Sequence, residues 1–350
     1  MKTIKDIDIK DKIILVRVDY NVPLKNGEIT DDLRIRASLP TLEYLLDHGA
    51  KQIFLISHLG RPEGQPNSEL SLSPVAKALE KLLPKAKIGF YPLPTNQESL
   101  HVPADTKIAL LENLRFSPGE EANSPEFIEN IVKATGADIY VQDGFAVVHR
   151  AHASTDAIQN FLPIYAGLLV ESEVDNSSSA LKNPVKPVLL IIGGAKVEDK
   201  QPLIDKFLTK ADHIFVGGKI AADGYQSSDA KIVVATDFDE NEKNEKLDVG
   251  PLSTGKLASL ITDANTVIWN GLLGYAEDPA YATASTIAAE LIGEKHGATT
   301  IVCGGDTTGF VENLIEEHEN LHYSLVSTGG GAALEFLLGK ELPGLKPFLP

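Results

Sequence analysis

Five glycine-rich segments carry the clearest chemical signal in this chain. They are Ile192-Gly193-Gly194-Ala195-Lys196, Val216-Gly217-Gly218, Asn270-Gly271-Leu272-Leu273-Gly274, Cys303-Gly304-Gly305-Asp306-Thr307 and Ser327-Thr328-Gly329-Gly330-Gly331-Ala332. Each follows a short β-rich run, and most precede a helical pattern. Glycine lets backbone come close to a ligand, and a following helix offers free N–H groups and the positive end of its dipole. A single Gly-Gly after a strand is an ordinary tight turn. Five at the carboxyl ends of parallel strands point to a phosphate or nucleotide site, because open α/β sheets bind ligands at that edge.

A second signal lies in the first half. The six arginines are Arg17, Arg34, Arg36, Arg61, Arg115 and Arg150, and the residues after Arg150 carry only lysine as strong base. Arginine makes rigid two-pronged contacts to carboxylates and phosphates, whereas lysine is a flexible point charge. Arg61, Arg115 and Arg150 stand just past predicted strands, and Arg34 stands at a predicted helix start. Asp19 and Asn21 close the first strand. Converging there, these groups would form a basic pocket for a small, multiply charged anion. Arg17, in mid-strand, and Arg36, on another helix face from Arg34, fit unrelated ion pairs better.

Three familiar patterns are set aside. Gly250-Pro-Leu-Ser-Thr-Gly255-Lys256-Leu257 nearly spells a P-loop, but leucine replaces the magnesium-binding hydroxyl. No G-x-G-x-x-G opens the first βα unit, which disfavours a dinucleotide dehydrogenase. His149 and His152 lack a partner at a recognisable zinc spacing.

The elements that would position these groups alternate. Strands are expected at 13–18, 51–56, 107–111, 138–142, 188–192, 212–216, 231–235, 265–269, 299–303 and 322–326. Helical patterns fall between them, such as those at 73–83, 124–135, 200–210, 279–296 and 306–318. Continuous apolar strands separated by helices indicate parallel sheets covered on both faces. The 350 residues suit two domains of about 150 residues each. The fold class is therefore α/β, with two doubly wound domains. A helix over 165–181, broken by Asn-Pro-Val-Lys-Pro, would join them as a defined hinge. The acidic stretch 237–248 reads as a solvated surface loop.

Composition bounds the partners. The net charge of −17 argues against nonspecific nucleic-acid binding. The charged N-terminus shows no signal peptide, no apolar run could cross a bilayer, and a single cysteine, Cys303, fits a reducing cytoplasm.

The chain resembles the phosphoglycerate kinase family nearly end to end. The matching segments are ILVRVDYNVPL (14–24), DDLRIRASLPT (31–41), SHLGRP (57–62), LLENLRFSPGEEAN (110–123), HRAHAST (149–155), GGAKVEDK (193–200), WNG (269–271), GGDT (304–307) and STGGGAALEFLLGKELPG (327–344), in the family's order. The resemblance implies an N-terminal domain (1–165) that binds 3-phosphoglycerate or 1,3-bisphosphoglycerate and an interdomain helix and linker (166–184). A C-terminal domain (185–341) would bind ADP or ATP with Mg2+, and a tail (342–350) would pack near the first domain.

Carried over by position, the acid-binding set is Asp19, Asn21, Arg34, His58, Arg61, Arg115 and Arg150. The nucleotide set is Lys196, Lys200, Gly217, Gly218, Asn270, Glu277, Gly304, Gly305, Asp306 and Thr307. Asp306 would hold magnesium, and Glu277 would meet the ribose. Arg34, Lys196 and the helix start at Gly330 would act on the transferring group as the domains close around the hinge. The implied reaction is reversible acyl-phosphate transfer to ADP, as in glycolysis and gluconeogenesis, by a cytoplasmic monomer.

The departures from the family pattern lie mostly in the second half. Lys219 replaces a glycine, and the segment that follows is short. Trp-Asn-Gly-Pro becomes Trp269-Asn270-Gly271-Leu272, and Gly-x-Phe-Glu becomes Gly274-Tyr275-Ala276-Glu277. These changes leave base selectivity open, so that GDP or another nucleoside diphosphate could compete with ADP. The alternatives are a non-catalytic relative serving as a phosphometabolite sensor or scaffold, and a kinase for another small carboxylate.

Overall fold

A computed structural model describes every residue except Glu319, Leu349 and Pro350. The chain divides into two compact units. One comprises Met1–Ser172 together with the segment from Glu341 on, and the other is Glu173–Lys340.

The first unit is built on six strands: β1 (Ile13–Arg17), β2 (Gln52–Ile56), β3 (Ile88–Tyr91), β4 (Ile108–Leu111), β5 (Ile139–Gln142) and β6 (Ile164–Ala166). They pair in the order β3-β4-β2-β1-β5-β6, all parallel. Successive side chains alternate between the faces of a strand. Ile14, Val16, Ile53 and Leu55 therefore enter one core, and Leu15, Phe54, Ile56 and Tyr140 enter the other. Two buried faces explain why the strands read as unbroken apolar runs.

Local signals set the flanking helices. Pro125–Thr135 begins with Ser124 accepting the Phe127 N–H at 3.3 Å, carries Pro in its first turn, and stops at Gly136 in the left-handed region.

The second unit has strands β7 (Val188–Ile192), β8 (His213–Val216), β9 (Ile232–Val234), β10 (Thr266–Asn270), β11 (Thr299–Cys303) and β12 (Leu325–Val326). Their order is β9-β8-β7-β10-β11-β12, again all parallel. The order reverses between β7 and β10, the place where a doubly wound sheet opens a crevice.

Two findings depart from the sequence expectations. β3 and β6 were not anticipated. Both are sheet edges and only partly buried, so neither shows a continuous apolar run. The acidic stretch 237–248 is exposed over much of its length, as expected, but it is not an irregular loop. It contains an antiparallel hairpin, Phe238–Glu240 with Lys246–Val249, and Asp248 is only 2 % exposed. Its carboxylate is buried because it accepts the N–H groups of Val249 (2.9 Å) and Ala284 (3.0 Å), tying the hairpin to the helix Thr283–Gly293.

The C-terminal segment belongs to the first unit. Gly344 N–H donates to the Val148 carbonyl at 2.8 Å, Gln159 Nε2 donates to the Pro343 carbonyl at 2.9 Å, and Leu342, Leu345 and Phe348 are buried. Of the expected tail 342–350, Leu349 and Pro350 lie outside the described residues.

The joining helix runs Leu168–Lys182, with its first residues in the first unit. Asp143, just past β5, anchors its start. Asp143 Oδ1 accepts Thr41 Oγ1 (2.9 Å) and Leu169 N–H (3.1 Å), while Oδ2 has no hydrogen-bond partner. Gly167 is glycine because a Cβ there would collide with this carboxyl group.

Burial pushes the Asp143 carboxyl up from 3.8 to about 7. Between those values the folded chain holds a proton that the unfolded chain releases. Asp143 thus makes stability fall as pH rises through this window and has no further effect above it. Asp143→Asn should make the decline shallower than in the parent, measured by urea unfolding at several pH values. Parallel stability–pH curves would refute the assignment.

Candidate active site

The carboxyl edge of the first sheet carries a cluster of positive charge around His58. Arg17, the last residue of β1, is 1 % exposed. Its Nε donates to Ser154 Oγ (2.8 Å), its Nη1 to the Val18 carbonyl, and its Nη2 lies 3.2 Å from His58 Nδ1. A guanidinium can only donate, so His58 Nδ1 must accept and its proton sits on Nε2. Burial, then Arg17, Arg115, Arg150 and Arg34, hold the His58 pKa well below its ordinary value. The imidazole is therefore neutral, and its unprotonated Nδ1, 3.7 Å from Asp19 Oδ1, forms no ion pair with that carboxylate.

The remaining groups are held by specific neighbours. Asp19 is buried and pairs with Arg34, which stands in the first turn of the helix Leu33–Asp47. Asn21 Oδ1 accepts the Gly60 N–H at 2.9 Å, and the Gly60 carbonyl accepts Arg115 Nη1 at 2.7 Å. Arg115 is 3 % exposed. Its Nε faces Glu121 at 3.1 Å, and its Nη2 has no hydrogen-bond partner. Buried donors without partners are rare and costly. Here they leave a cation ready for an anion.

Arg150 follows β5 and lies close enough to act on His58. Arg61 differs: its side chain is exposed and makes no hydrogen bond or ion pair among the described residues. Arg36 pairs with Asp32 at 2.7 Å on the helix surface.

Sequence reasoning missed the support beneath this cluster. Arg17, read as an unrelated ion pair, is the buried link between His58 and Ser154. Ser154 in turn donates its hydroxyl (2.6 Å) and N–H (3.0 Å) to the fully buried Glu120. The signal was available: a charged residue inside the apolar run Ile13–Arg17 must find internal partners when both faces are covered.

The second sheet has its own site at the reversal between β7 and β10. Gly193 and Gly271 meet there so closely that a Cβ on either would strike the other strand's carbonyls. Gly218 adopts φ +60°, and a Cβ there would meet the Leu272 carbonyl oxygen at 2.7 Å. These contacts require glycine and open a cavity of about 450 Å³, within the usual range for small ligands.

Lys196, Lys200, Gly218, Glu277, Gly304, Gly305, Asp306 and Thr307 all line this cavity. Lys196 is the exposed N-cap of the helix Val197–Phe207, and Lys200 lies in that helix's first turn. Lys200 Nζ donates to Asn270 Oδ1, and burial lowers its pKa. Thr307 Oγ1 accepts the Gly271 N–H at 2.9 Å. Asp306 sits in the first turn of the helix Gly305–Glu317, where N–H groups remain free.

Gly217, Asn270 and Gly330, also expected at the site, do not line the cavity. Gly217 faces inward against Leu273, Phe215 and Val249, and Asn270 is buried below Lys200, with its Nδ2 on the Cys303 carbonyl at 2.9 Å. Gly330 is the N-cap of the separate helix Gly331–Leu337.

The cavity has residues that were not anticipated: Asp199, Lys219, Tyr275 and, from the hairpin, Phe238, Lys246, Leu247 and Asp248. The hairpin contribution was hidden because an acidic composition masks which residues turn inward. The near P-loop at Gly250 is accounted for differently. Its helix start is filled by Asp237, which accepts the N–H groups of Leu252 and Ser253, both at 2.8 Å.

Among the described residues, no cluster of three or more His, Cys, Asp or Glu could hold a metal by itself. A divalent magnesium ion commonly uses one or two carboxylates, with phosphates and water completing its shell. Asp306, with Asp199 in the same cavity, is a donor set of that kind.

The family model described as phosphoglycerate kinase matches residues 4–232 and 221–340. Among curated proteins, the phosphoglycerate kinase of Moorella thermoacetica is 39% identical over 390 residues, covering 98% of this chain and 98% of the relative. That of Dictyoglomus turgidum is 40% identical over 389 residues, covering 98% and 96%. Both alignments exceed the 350 residues of this chain, so the relatives carry insertions that it lacks.

Among solved structures, phosphoglycerate kinase from Coxiella burnetii has a TM-score of 0.79 at 33% identity, covering 98% of this chain and 97% of its own. The enzyme from Pyrococcus horikoshii OT3 has a TM-score of 0.83 at 25% identity, covering 99% and 98%. Two parallel-sheet edges, one rich in arginine and one in glycine and lysine, accompany these matches across nearly the whole chain, which place it in the phosphoglycerate kinase family.

Proposed function

We propose that this chain catalyses reversible phosphoryl transfer between 1,3-bisphosphoglycerate and ADP, giving 3-phosphoglycerate and ATP. The observation that carries this reading is the Arg115 guanidinium, buried with an unpartnered donor beside a neutral His58, in a chain that also holds the lysine- and glycine-lined cavity. The first site suits a phosphorylated carboxylate. The second suits the phosphates of a nucleotide. The family's activity supports both assignments.

The reaction needs positioning and charge stabilisation more than covalent chemistry. The bond between phosphorus and the acyl oxygen breaks, and its electron pair leaves with the carboxylate. A β-phosphate oxygen of ADP, already ionised, forms the new bond. No proton must move, so a neutral His58 is a hydrogen-bond donor through Nε2–H rather than a base. Asn21 and Gly60 hold the loop that presents Arg61, and Asp19 orients Arg34. On the nucleotide side, Lys196 is the exposed cation and Lys200 is held by Asn270. Asp306 would hold magnesium, which when bound neutralises charge on the nucleotide phosphates. Arg34 and Lys196 stabilise the equatorial oxygens of the transferring group. Cytoplasmic location and a monomeric state accompany this reading. No helix among the described residues is long and apolar enough to cross a membrane.

Arg34→Ala and Lys196→Ala should each lower kcat by about 100-fold or more, with melting temperatures within a few degrees of the parent because both side chains are partly or fully exposed. A coupled assay with 3-phosphoglycerate and ATP measures this, and parental turnover in either variant would refute that residue's role. Loss of turnover with every nucleotide in the parent, alongside retained ligand binding, would instead indicate a sensor. Asp306→Asn should raise the magnesium concentration needed for half-maximal rate by about ten-fold or more. An unchanged magnesium titration would remove Asp306 from the metal site.

A further inference from the structure

We infer that Lys246 biases the nucleotide cavity toward purines bearing a carbonyl oxygen at position 6, as in guanine and hypoxanthine, over the amine of adenine. This rests on reading the cavity as the nucleotide site. Its lining residues form two chemically distinct groups. Lys196, Lys200, Asp306 and the glycine backbones supply charge and N–H donors suited to phosphates. The hairpin supplies Phe238, Lys246 and Leu247, joined by Leu272 and Tyr275, the apolar and aromatic walls that a flat base requires.

At the hairpin wall the acceptors are already engaged. The Leu247 carbonyl accepts Tyr275 N–H at 2.7 Å, and both Asp248 oxygens accept backbone N–H groups. Glu277, the exposed carboxylate of this region, is assigned to the ribose by family position. The Tyr275 hydroxyl can donate or accept, so it does not discriminate. Lys219 is paired with Asp223 at 3.0 Å.

At the hairpin wall, away from the phosphate-side lysines, Lys246 is the cation with donors to spare. Its Nζ lies 4.8 Å from the centre of the Phe238 ring and 3.5 Å from the Ala222 carbonyl, which spans the gap between the hairpin and the short helix Gly218–Ala222. An ammonium has three N–H donors and no acceptor, so this one retains donors for a base edge. Guanine offers two adjacent acceptors there, O6 and N7, and hypoxanthine shares that edge. Adenine places an N6 donor beside N7, which an ammonium cannot satisfy. The cation–π contact keeps the charge at the wall and the lysine stem packed on the ring. The position is therefore held before any base arrives.

The test uses the full-length protein with ADP, GDP and IDP, measuring kcat/KM with 1,3-bisphosphoglycerate and, separately, binding of each nucleotide by calorimetry. The parent should use and bind IDP and GDP at least as well as ADP, and a parent that prefers ADP in both measurements overturns the inference. Lys246→Met, which keeps the stem and removes the donor, should lower the IDP-to-ADP ratio about five-fold or more in both measurements. Lys246→Arg should preserve the ratio, and melting temperatures report on folding. A smaller change in Lys246→Met overturns the inference while leaving the nucleotide reading intact. A parent that neither binds nor turns over any of the three nucleotides overturns the nucleotide reading and the inference with it.

Discussion

Parallel pairing around one central strand in each unit is the constraint from which both sites follow. Ile13–Arg17 pairs with strands on either side, and so does Val188–Ile192. Parallel neighbours all end at the same edge, and where the connections diverge the backbone must leave room. In the second unit this forces Gly193 and Gly271 into contact, a crossing that no side chain could share. In the first, it brings residues following β1, β2, β4 and β5 to one edge, although they are scattered from Asp19 to Arg150 in the chain.

The two edges carry positive charge in different ways. The first concentrates guanidinium groups and keeps them in place with a buried chain of hydrogen bonds from His58 through Arg17 and Ser154 to Glu120. Desolvating so many like charges is unfavourable, and the buried carboxylates Asp19 and Glu120 offset part of that cost. The repulsion that remains is visible in the suppressed pKa of His58 and in the lowered pKa of His152, about 4, for which burial and then Arg115 and Arg150 are responsible. The second edge relies on backbone N–H groups at helix starts and on lysines of unequal freedom. A protein with net charge −17 can thus hold a locally cationic site, since the excess acid is dispersed over other surfaces.

The layered fold was readable because its signals are local. Ten expected strand positions correspond to strands of the two sheets, and the helix starting after Ser124 carries its own capping residues. The edge strands Ile88–Tyr91 and Ile164–Ala166 escaped because partial exposure removes the apolar run that marks a buried strand. Lys196, Lys200 and Asp306, expected from the resemblance of their segments to the family's motifs, line one cavity, and the glycines of those segments leave a mark in the sequence. Arg17 was misjudged because its partners, such as Ser154, lie 137 positions away. The hairpin wall was missed because a run of acidic residues says nothing about which of them, like Asp248, will find N–H partners inside.

The sequence alone therefore determined the places of ten strands, the alternation of strands with helices, the glycine positions at the sheet edges, the grouping of arginine before lysine, and membership of a kinase family. These depend on apolar runs, turn chemistry and short motifs, each contained within a few neighbouring residues. Only the tertiary structure decided which charges are buried, which nitrogen of His58 carries the proton, that Asp143 is driven toward its neutral form, and that Lys246 and Phe238 wall the cavity of the second unit. Those properties arise from desolvation and from contacts between distant segments, and neither exists until the chain has folded.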